Sequence, residues 1–181
     1  MPLRLPCKPA AVTPRNLLYP YWGATGFHRP VVDVYLVGPN DRIAVAAAQI
    51  DTGADHTIFA STVAQDLGLT LPFPRQSGIS GAGGTYTATV SFPPDGLVSL
   101  FVTDYREYCY LPNPLIGFHA PGTGQRSVLG LSGFLQGFRF TLDPSPPAIE
   151  LDPATTFVGA TGAVPAGRGL YEFILSLRKT P

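Results

Sequence analysis

The chain has 181 residues, 45% of them hydrophobic, which suits one domain with extensions and a single sizeable core. Its 20 glycines and 20 prolines are together roughly a fifth of the chain, below the level of a disordered low-complexity protein, and indicate a turn-rich β fold. Charged residues are only 13%, with 12 Lys and Arg against 12 Asp and Glu, so nothing suggests the basic stripe of a nucleic-acid-binding protein and no nucleic-acid partner is expected.

Cys7 and Cys109 are too few for a disulfide framework or a thiolate zinc site. No run approaches the ~20 apolar residues that span a membrane. Pro2, Pro6 and Pro9 interrupt the amino terminus, which lacks the apolar region of a signal peptide. The expectation is a cytoplasmic protein with no membrane partner.

Residues 1–26 carry five prolines and little periodicity, and read as a Pro-rich arm that drapes over the body or a partner. Residues 27–157 read as the folded domain. Within it the β-branched run 31–37, the turn cluster Gly38-Pro39-Asn40-Asp41 and the apolar run 43–50 form a hairpin. That hairpin delivers Asp51-Thr52-Gly53-Ala54-Asp55 to a tight loop. Residues 57–59 form a second short strand, and 61–68 a capped helical turn.

Four glycines in residues 77–85 precede the strand 86–92, so they sit at the tip or shoulder of a hairpin. Residues 97–103 and 108–111 read as strands. Residues 127–137 read as a buried strand, a glycine turn and a short helix. Residues 138–143 and 148–151 form a hairpin around Pro144-Ser145-Pro146-Pro147. Residues 158–169, rich in Gly, Ala and Pro, are a linker. Residues 170–181 place Tyr171, Phe173, Leu175 and Leu177 on one face of a last strand, either a core strand or one at a dimer interface.

The order of strand, Asp51-Thr52-Gly53-Ala54-Asp55, strand, short helix, Gly-rich hairpin and then Val128-Leu129-Gly130 before a short helix resembles the retropepsin-like aspartic proteases over residues 30–151. Asp-Thr-Gly alone is a weak signal. The longer motif with Thr57-Ile58 behind an apolar strand, and Val128-Leu129-Gly130 downstream, is a stronger one. The resemblance implies an all-β fold: a closed or partly open acid-protease β-barrel with one or two short helices and a Gly-rich flap hairpin.

By the same resemblance the activity is that of an aspartic endopeptidase acting on a peptide or protein substrate without a cofactor. That chemistry needs two carboxylates that share one proton, one serving as base toward water and the other as acid toward the carbonyl. The chain has one Asp-Thr-Gly: Asp143 and Asp152 precede proline and Asp104 precedes Tyr105. A homodimer, each copy giving its Asp51, is therefore expected.

The catalytic residues carried over are Asp51, Thr52, which would hydrogen-bond across the twofold, and Gly53, which would admit the substrate backbone. Ala54, Asp55, His56, Ile79, Ser80, Gly81, Ala82 and Gly83 would contact substrate, the last five from the flap. Leu131 stands where many family members have a basic residue paired with the carboxylate at the Asp55 position. Either another cation such as Arg126 replaces it, or Asp55 is solvated, or the site is less rigid.

Blander readings accompany these: Asp51 as a turn cap, the glycine loop as a plain connection, His56 as a residue facing water. His28, His56 and His119 lack ligand spacing, so no metal is expected. A non-catalytic module that keeps the fold for dimerisation or peptide binding is the alternative function.

Overall fold

Alternation along the central strands builds two cores on opposite sides of one sheet. In the computed structural model, which describes residues 2–6, 30–80, 87–122, 126–144 and 147–179, the chain is mostly β. Its strands run β1 (Leu3–Pro6), β2 (Val31–Val37), β3 (Ile43–Ile50) and β4 (Thr57–Phe59), then the helix α1 (Ser61–Asp66). The hairpin of β5 (Arg75–Ser80) and β6 (Thr87–Phe92) precedes β7 (Ser99–Thr103), β8 (Glu107–Leu111), β9 (Ile116–His119) and β10 (Ser127–Leu129). The chain continues through β11 (Phe138–Pro144), β12 (Pro147–Pro153) and β13 (Ala160–Ala163) to the helix α2 (Leu170–Arg178).

Among the described residues ten strands form one sheet in the order β13-β8-β7-β2-β3-β10-β4-β9-β6-β5, and three form another in the order β1-β12-β11. Neither sheet closes into a barrel. Along β2, Val32, Val34 and Leu36 enter the main core, whereas Tyr35 and Val37 enter a second one. β7 repeats the division, with Leu100 and Val102 on the first side and Phe101 on the second. This is the period of two that a strand buried on both faces requires.

The hairpins expected at residues 31–50, at the Gly-rich segment and at residues 138–151 are present, with registers Tyr35↔Val45, Ser77↔Val90 and Phe140↔Leu151. The beginning of the arm does drape over the body: β1 pairs with β12, and Leu3 and Leu5 are buried in the main core. The rest of the arm, residues 7–26, lies outside the described residues.

Four expectations are corrected. The segment 170–178 is a helix and not a strand, because Leu170, Phe173, Ile174 and Leu177 follow helical spacing and seat one face on Tyr35, Phe101 and Tyr110. The reading of 158–169 as a linker gives way to a strand, since β13 pairs with β8 from Ala160↔Tyr110 to Ala163↔Glu107. Helix α1 has no side-chain cap; its first turn is tied to β10 instead, where the Ser127 hydroxyl accepts the Ala60 N–H at 3.3 Å. The short helix after Gly130 is a single 3₁₀ turn, Leu135–Gly137. The strand β9 has no signature in the sequence, because all four of its residues are buried and no alternation marks it.

Candidate active site

Strand β3 carries Asp51 to the site, and the parallel strand β10 holds it there. Ile50 lies opposite Leu129, and the Asp51 N–H donates to the Leu129 carbonyl at 3.1 Å. Beyond them the two loops interlock. Leu131 N–H donates to the Ala54 carbonyl at 2.8 Å, Ser132 N–H to the Asp55 carbonyl at 2.9 Å, and Thr57 N–H to the Ser132 carbonyl at 2.9 Å. These backbone bonds, running in both directions, make a clasp between residues 54–57 and 130–132.

Gly130 lies at the centre of that clasp, and only glycine fits. A Cβ there would stand 2.4 Å from the His56 carbonyl oxygen and 2.7 Å from that of Ala54, both backbone atoms. The close approach is also what lets the buried Thr57 hydroxyl accept the Gly130 N–H at 3.1 Å and lie 3.4 Å from the Gly130 carbonyl. The sequence marks Val128-Leu129-Gly130 as a motif but does not mark Thr57 as its partner. The one available signal is the threonine itself, two residues after Asp55 at the end of the loop.

Within the turn, Asp51 Oδ1 accepts the Gly53 N–H at 2.9 Å, and the Asp51 carbonyl accepts the Ala54 N–H at 3.2 Å. Gly53 is tight against the carboxylate, since a Cβ would lie 3.3 Å from Asp51 Oδ1. Asp51 is half-buried, whereas Thr52 and Gly53 are exposed. The carboxylate is thus fixed through one oxygen at the rim of the chain, with solvent beside it.

Asp55 is also exposed, and among the described residues no ion pair reaches it. Arg126 does not take the place of the missing cation. Its backbone instead hydrogen-bonds His119, a contact that partly offsets the burial holding the His119 imidazole below its ordinary value. Leu131 itself is 46% exposed. Of the alternatives left open by its sequence, a solvated Asp55 is the one the geometry matches.

The structure brings the stem of the glycine hairpin toward the loop through one aromatic ring. The His56 ring meets Phe92 of β6 edge-on at 5.6 Å, and Ile79 of β5 packs against the same cluster of Ile58, Val90 and Phe92. On Phe92 the Arg75 guanidinium stacks at 5.1 Å from the ring centroid. His56 Nδ1 is buried and meets no hydrogen-bond partner among the described residues. Ser80 ends β5 opposite Thr87. Gly81, Ala82 and Gly83 lie outside the described residues.

An open depression of about 410 Å³ runs along the hairpin, lined by Gly78, Ile79, Ser80, Thr87, Ala88 and Thr89. None of residues 51–56 lines it. Among the described residues no helix is long and apolar enough to cross a membrane.

No protein-family model matches the chain, and no curated protein matches it. The functional reading rests on the loop and its clasp.

Proposed function

We propose that two copies of this chain form an aspartic endopeptidase of the retropepsin-like kind, with one Asp51 from each copy at the twofold axis. The observation that carries the reading is the clasp: the Asp51 turn is backbone-locked against Gly130 by bonds that tolerate no side chain, yet it presents its carboxylate at an exposed rim. A merely structural turn cap has no need of such rigidity on a solvent-facing edge.

Two Asp51 carboxylates about 3 Å apart share one proton, because both ionised would repel strongly. The ionised member takes a proton from water as that water attacks the peptide carbonyl. Its partner, protonated, gives its proton to the carbonyl oxygen. The tetrahedral hydrate then collapses as the C–N bond breaks, the newly protonated Asp51 giving its proton to the leaving amine nitrogen while the other takes one from a hydrate hydroxyl, so that the pair again shares one proton. Asp51 Oδ1 is held by the Gly53 N–H, and among the described residues Oδ2 has no partner within the chain, leaving it toward the second copy and the water. The exposed Thr52 hydroxyl bonds the opposing loop. The glycine hairpin closes over an extended peptide as a flap.

Cleavage of a peptide library by the purified protein at acid to neutral pH tests the reading. Wild type cleaves and binds a statine-type mimic of the hydrate, whereas Asp51→Asn retains fold and association but loses at least about a thousandfold in kcat/KM. Equal cleavage by both proteins would end it.

A second reading, a non-catalytic module that keeps this fold to dimerise or bind peptides, is favoured by Asp55 meeting no cation among the described residues. Cleavage lost on Asp51→Asn with the fold intact excludes it.

A further inference from the structure

We propose that residues 17–22 of the arm, Leu17-Leu18-Tyr19-Pro20-Tyr21-Trp22, dock within their own chain on an open strip of the ten-stranded sheet centred on Val45. The proposal uses nothing of the Asp51 chemistry and stands apart from the protease reading.

The strip lies in the middle of the sheet, on the face away from the main core. Register sets Tyr35 beside Val45, Asp33 beside Ala47, and Val128 beside Gln49. To either side that face is covered. Helix α2 closes it over Tyr35 and Phe101, and beyond Val128 the cluster of Ile58, Val90 and Phe92 is buried. Between these covers Val45 and Ala47 are exposed, and Gln49 and Val128 only half-buried. β3 pairs in parallel with β10 here, and parallel pairing is usual where both faces of a sheet are covered.

One end of the strip is an apolar seat. Of the five large hydrophobic side chains exposed among the described residues, three surround Tyr35. Val45 is its cross-strand neighbour, the Tyr105 hydroxyl lies 3.3 Å from its own, and the Tyr171 ring meets it edge-on at 6.2 Å. Tyr105 stands there with φ at +71°, a left-handed backbone that costs a bulky residue free energy. Apolar groups gathered in this way gain from a partner that removes them from water.

The occupant follows from where the arm is attached. Residues 7–29, which lie outside the described residues, join Pro6, paired with Ala148, to Pro30, whose carbonyl accepts the Ile50 N–H at 2.7 Å. The second attachment is at the head of the strip. Val45 lies back along β3 from Ile50 by about 17 Å, and the residues between Trp22 and Pro30 reach about 27 Å. From Pro6 to Leu17 the chain reaches about 37 Å, enough to round the sheet from the main-core side, where Leu3 and Leu5 are buried.

Composition selects the segment. Residues 17–22 bring two leucines, two tyrosines and the chain's one tryptophan, with no charge among them. The arm around them carries Lys8, Arg15 and Arg29 and no carboxylate, whereas the charged residue on the strip is Asp33. Attachment at both ends holds the segment at a roughly millimolar effective concentration, so a modest apolar contact suffices.

Fluorescence of Trp22, the single indole, reads the docking in the full-length protein. In wild type the indole is shielded from iodide at every protein concentration. Val45→Glu puts a charge in the seat and raises the quenching constant about threefold or more, while far-UV circular dichroism stays native. Leu17→Ser combined with Leu18→Ser does the same from the side of the arm, and is the readout if Val45→Glu does not fold. Leu131→Ser and Val158→Ser, at exposed apolar residues outside the strip, leave quenching unchanged.

Trp22 quenched in wild type as freely as in urea overturns the proposal. So does shielding that survives in a folded Val45→Glu or in the arm variant, or that is lost in Leu131→Ser instead. Shielding that fades on dilution seats the arm on a second copy and overturns docking within the chain.

Discussion

The clasp around Asp51 and the helix over Tyr35 are both made by short segments far apart in sequence, yet opposite forces hold them. At the clasp, backbone N–H groups of Leu131, Ser132 and Thr57 meet carbonyls at 2.8–2.9 Å, and glycine at 130 makes the approach possible. At the helix, Phe173 and Ile174 are buried against Phe101 and Tyr110, with Phe173 edge-on to Phe101 at 6.2 Å and to Tyr108 at 5.1 Å. The first contact is made by backbone groups and is strict in geometry; the second buries aromatic side chains and tolerates displacement. A site that must hold a carboxylate in one place is better served by the first kind.

The strongest way to break that contrast is Gly130→Ala. The added methyl meets three backbone atoms within 2.7 Å, namely the His56 carbonyl carbon and oxygen and the Ala54 oxygen, none of which can rotate away. Overpacking ordinarily costs about 1–3 kcal/mol, and with backbone on every side the expected loss is about 4 kcal/mol or more. Urea denaturation measures it. A loss below about 1 kcal/mol would mean that the clasp yields to the methyl and is not rigid.

Phe173→Ala comes next, at about 3 kcal/mol, the lower end for a truncated core phenylalanine because α2 lies at the edge of the fold. Hydrogen exchange should localise the damage to residues 170–178 and to their partners Tyr35 and Phe101. The amides of Leu131 and Ser132 should keep their protection. If the clasp loosens with the helix, the two regions are one cooperative unit and the contrast fails.

Thr57→Val sharpens the same point at a smaller scale. Valine keeps the shape but removes the hydroxyl that accepts the Gly130 N–H, leaving a buried donor unsatisfied at about 2 kcal/mol. Thr57→Ser keeps the bond and should recover most of that loss, whereas a purely steric role predicts the reverse order.

The two regions differ as much in how they can be read from sequence. Asp51-Thr52-Gly53-Ala54-Asp55 behind an alternating strand, with Val128-Leu129-Gly130 downstream, is a local pattern whose residue types are each dictated by backbone geometry, so the elements of the clasp are legible in the amino-acid order alone. Thr57 stands in plain view there but carries no sign of which backbone group it meets. Residues 170–177 satisfy two periods at once: Tyr171, Phe173, Leu175 and Leu177 alternate, while Leu170, Phe173, Ile174 and Leu177 follow a helix. What decides is the neighbour. The second face of β2, β7 and β8 is apolar and needs a cover, and the segment from 170 reaches it only after β13 has taken the place beside β8. Gly169 before the first turn and Arg178 in the last are helix-end signals that the alternation masks.

pH separates the regions with the smallest effects and without changing a contact. On the clasp side, His119 of β9, a strand paired with β4 and β6, has its imidazole below the ordinary value of 6.5, first because burial disfavours the charged form. The unfolded chain then binds more protons below pH 6.5, so stability is full above 6.5 and falls as the pH drops toward the folded value. On the helix side, burial raises the Tyr35 phenol above its ordinary 10.0, its hydroxyl lying 3.3 Å from that of Tyr105, and on the main-core face of β8 burial pushes the Cys109 thiol from 9.0 up to about 12. Their contribution is complete below pH 9 and is lost as the pH climbs toward 12. Thermal melts from about pH 4 to about pH 11 should therefore fall at both ends, with His119→Gln flattening only the acid limb, and Tyr35→Phe on the helix side and Cys109→Ala in the main core each flattening only the alkaline one. An acid limb that persists unchanged in His119→Gln would assign it to other groups. For the proposed protease, whose two carboxylates would share a proton, the acid limb would set how far the pH can fall before β9, the strand paired with β4 and β6, begins to give way.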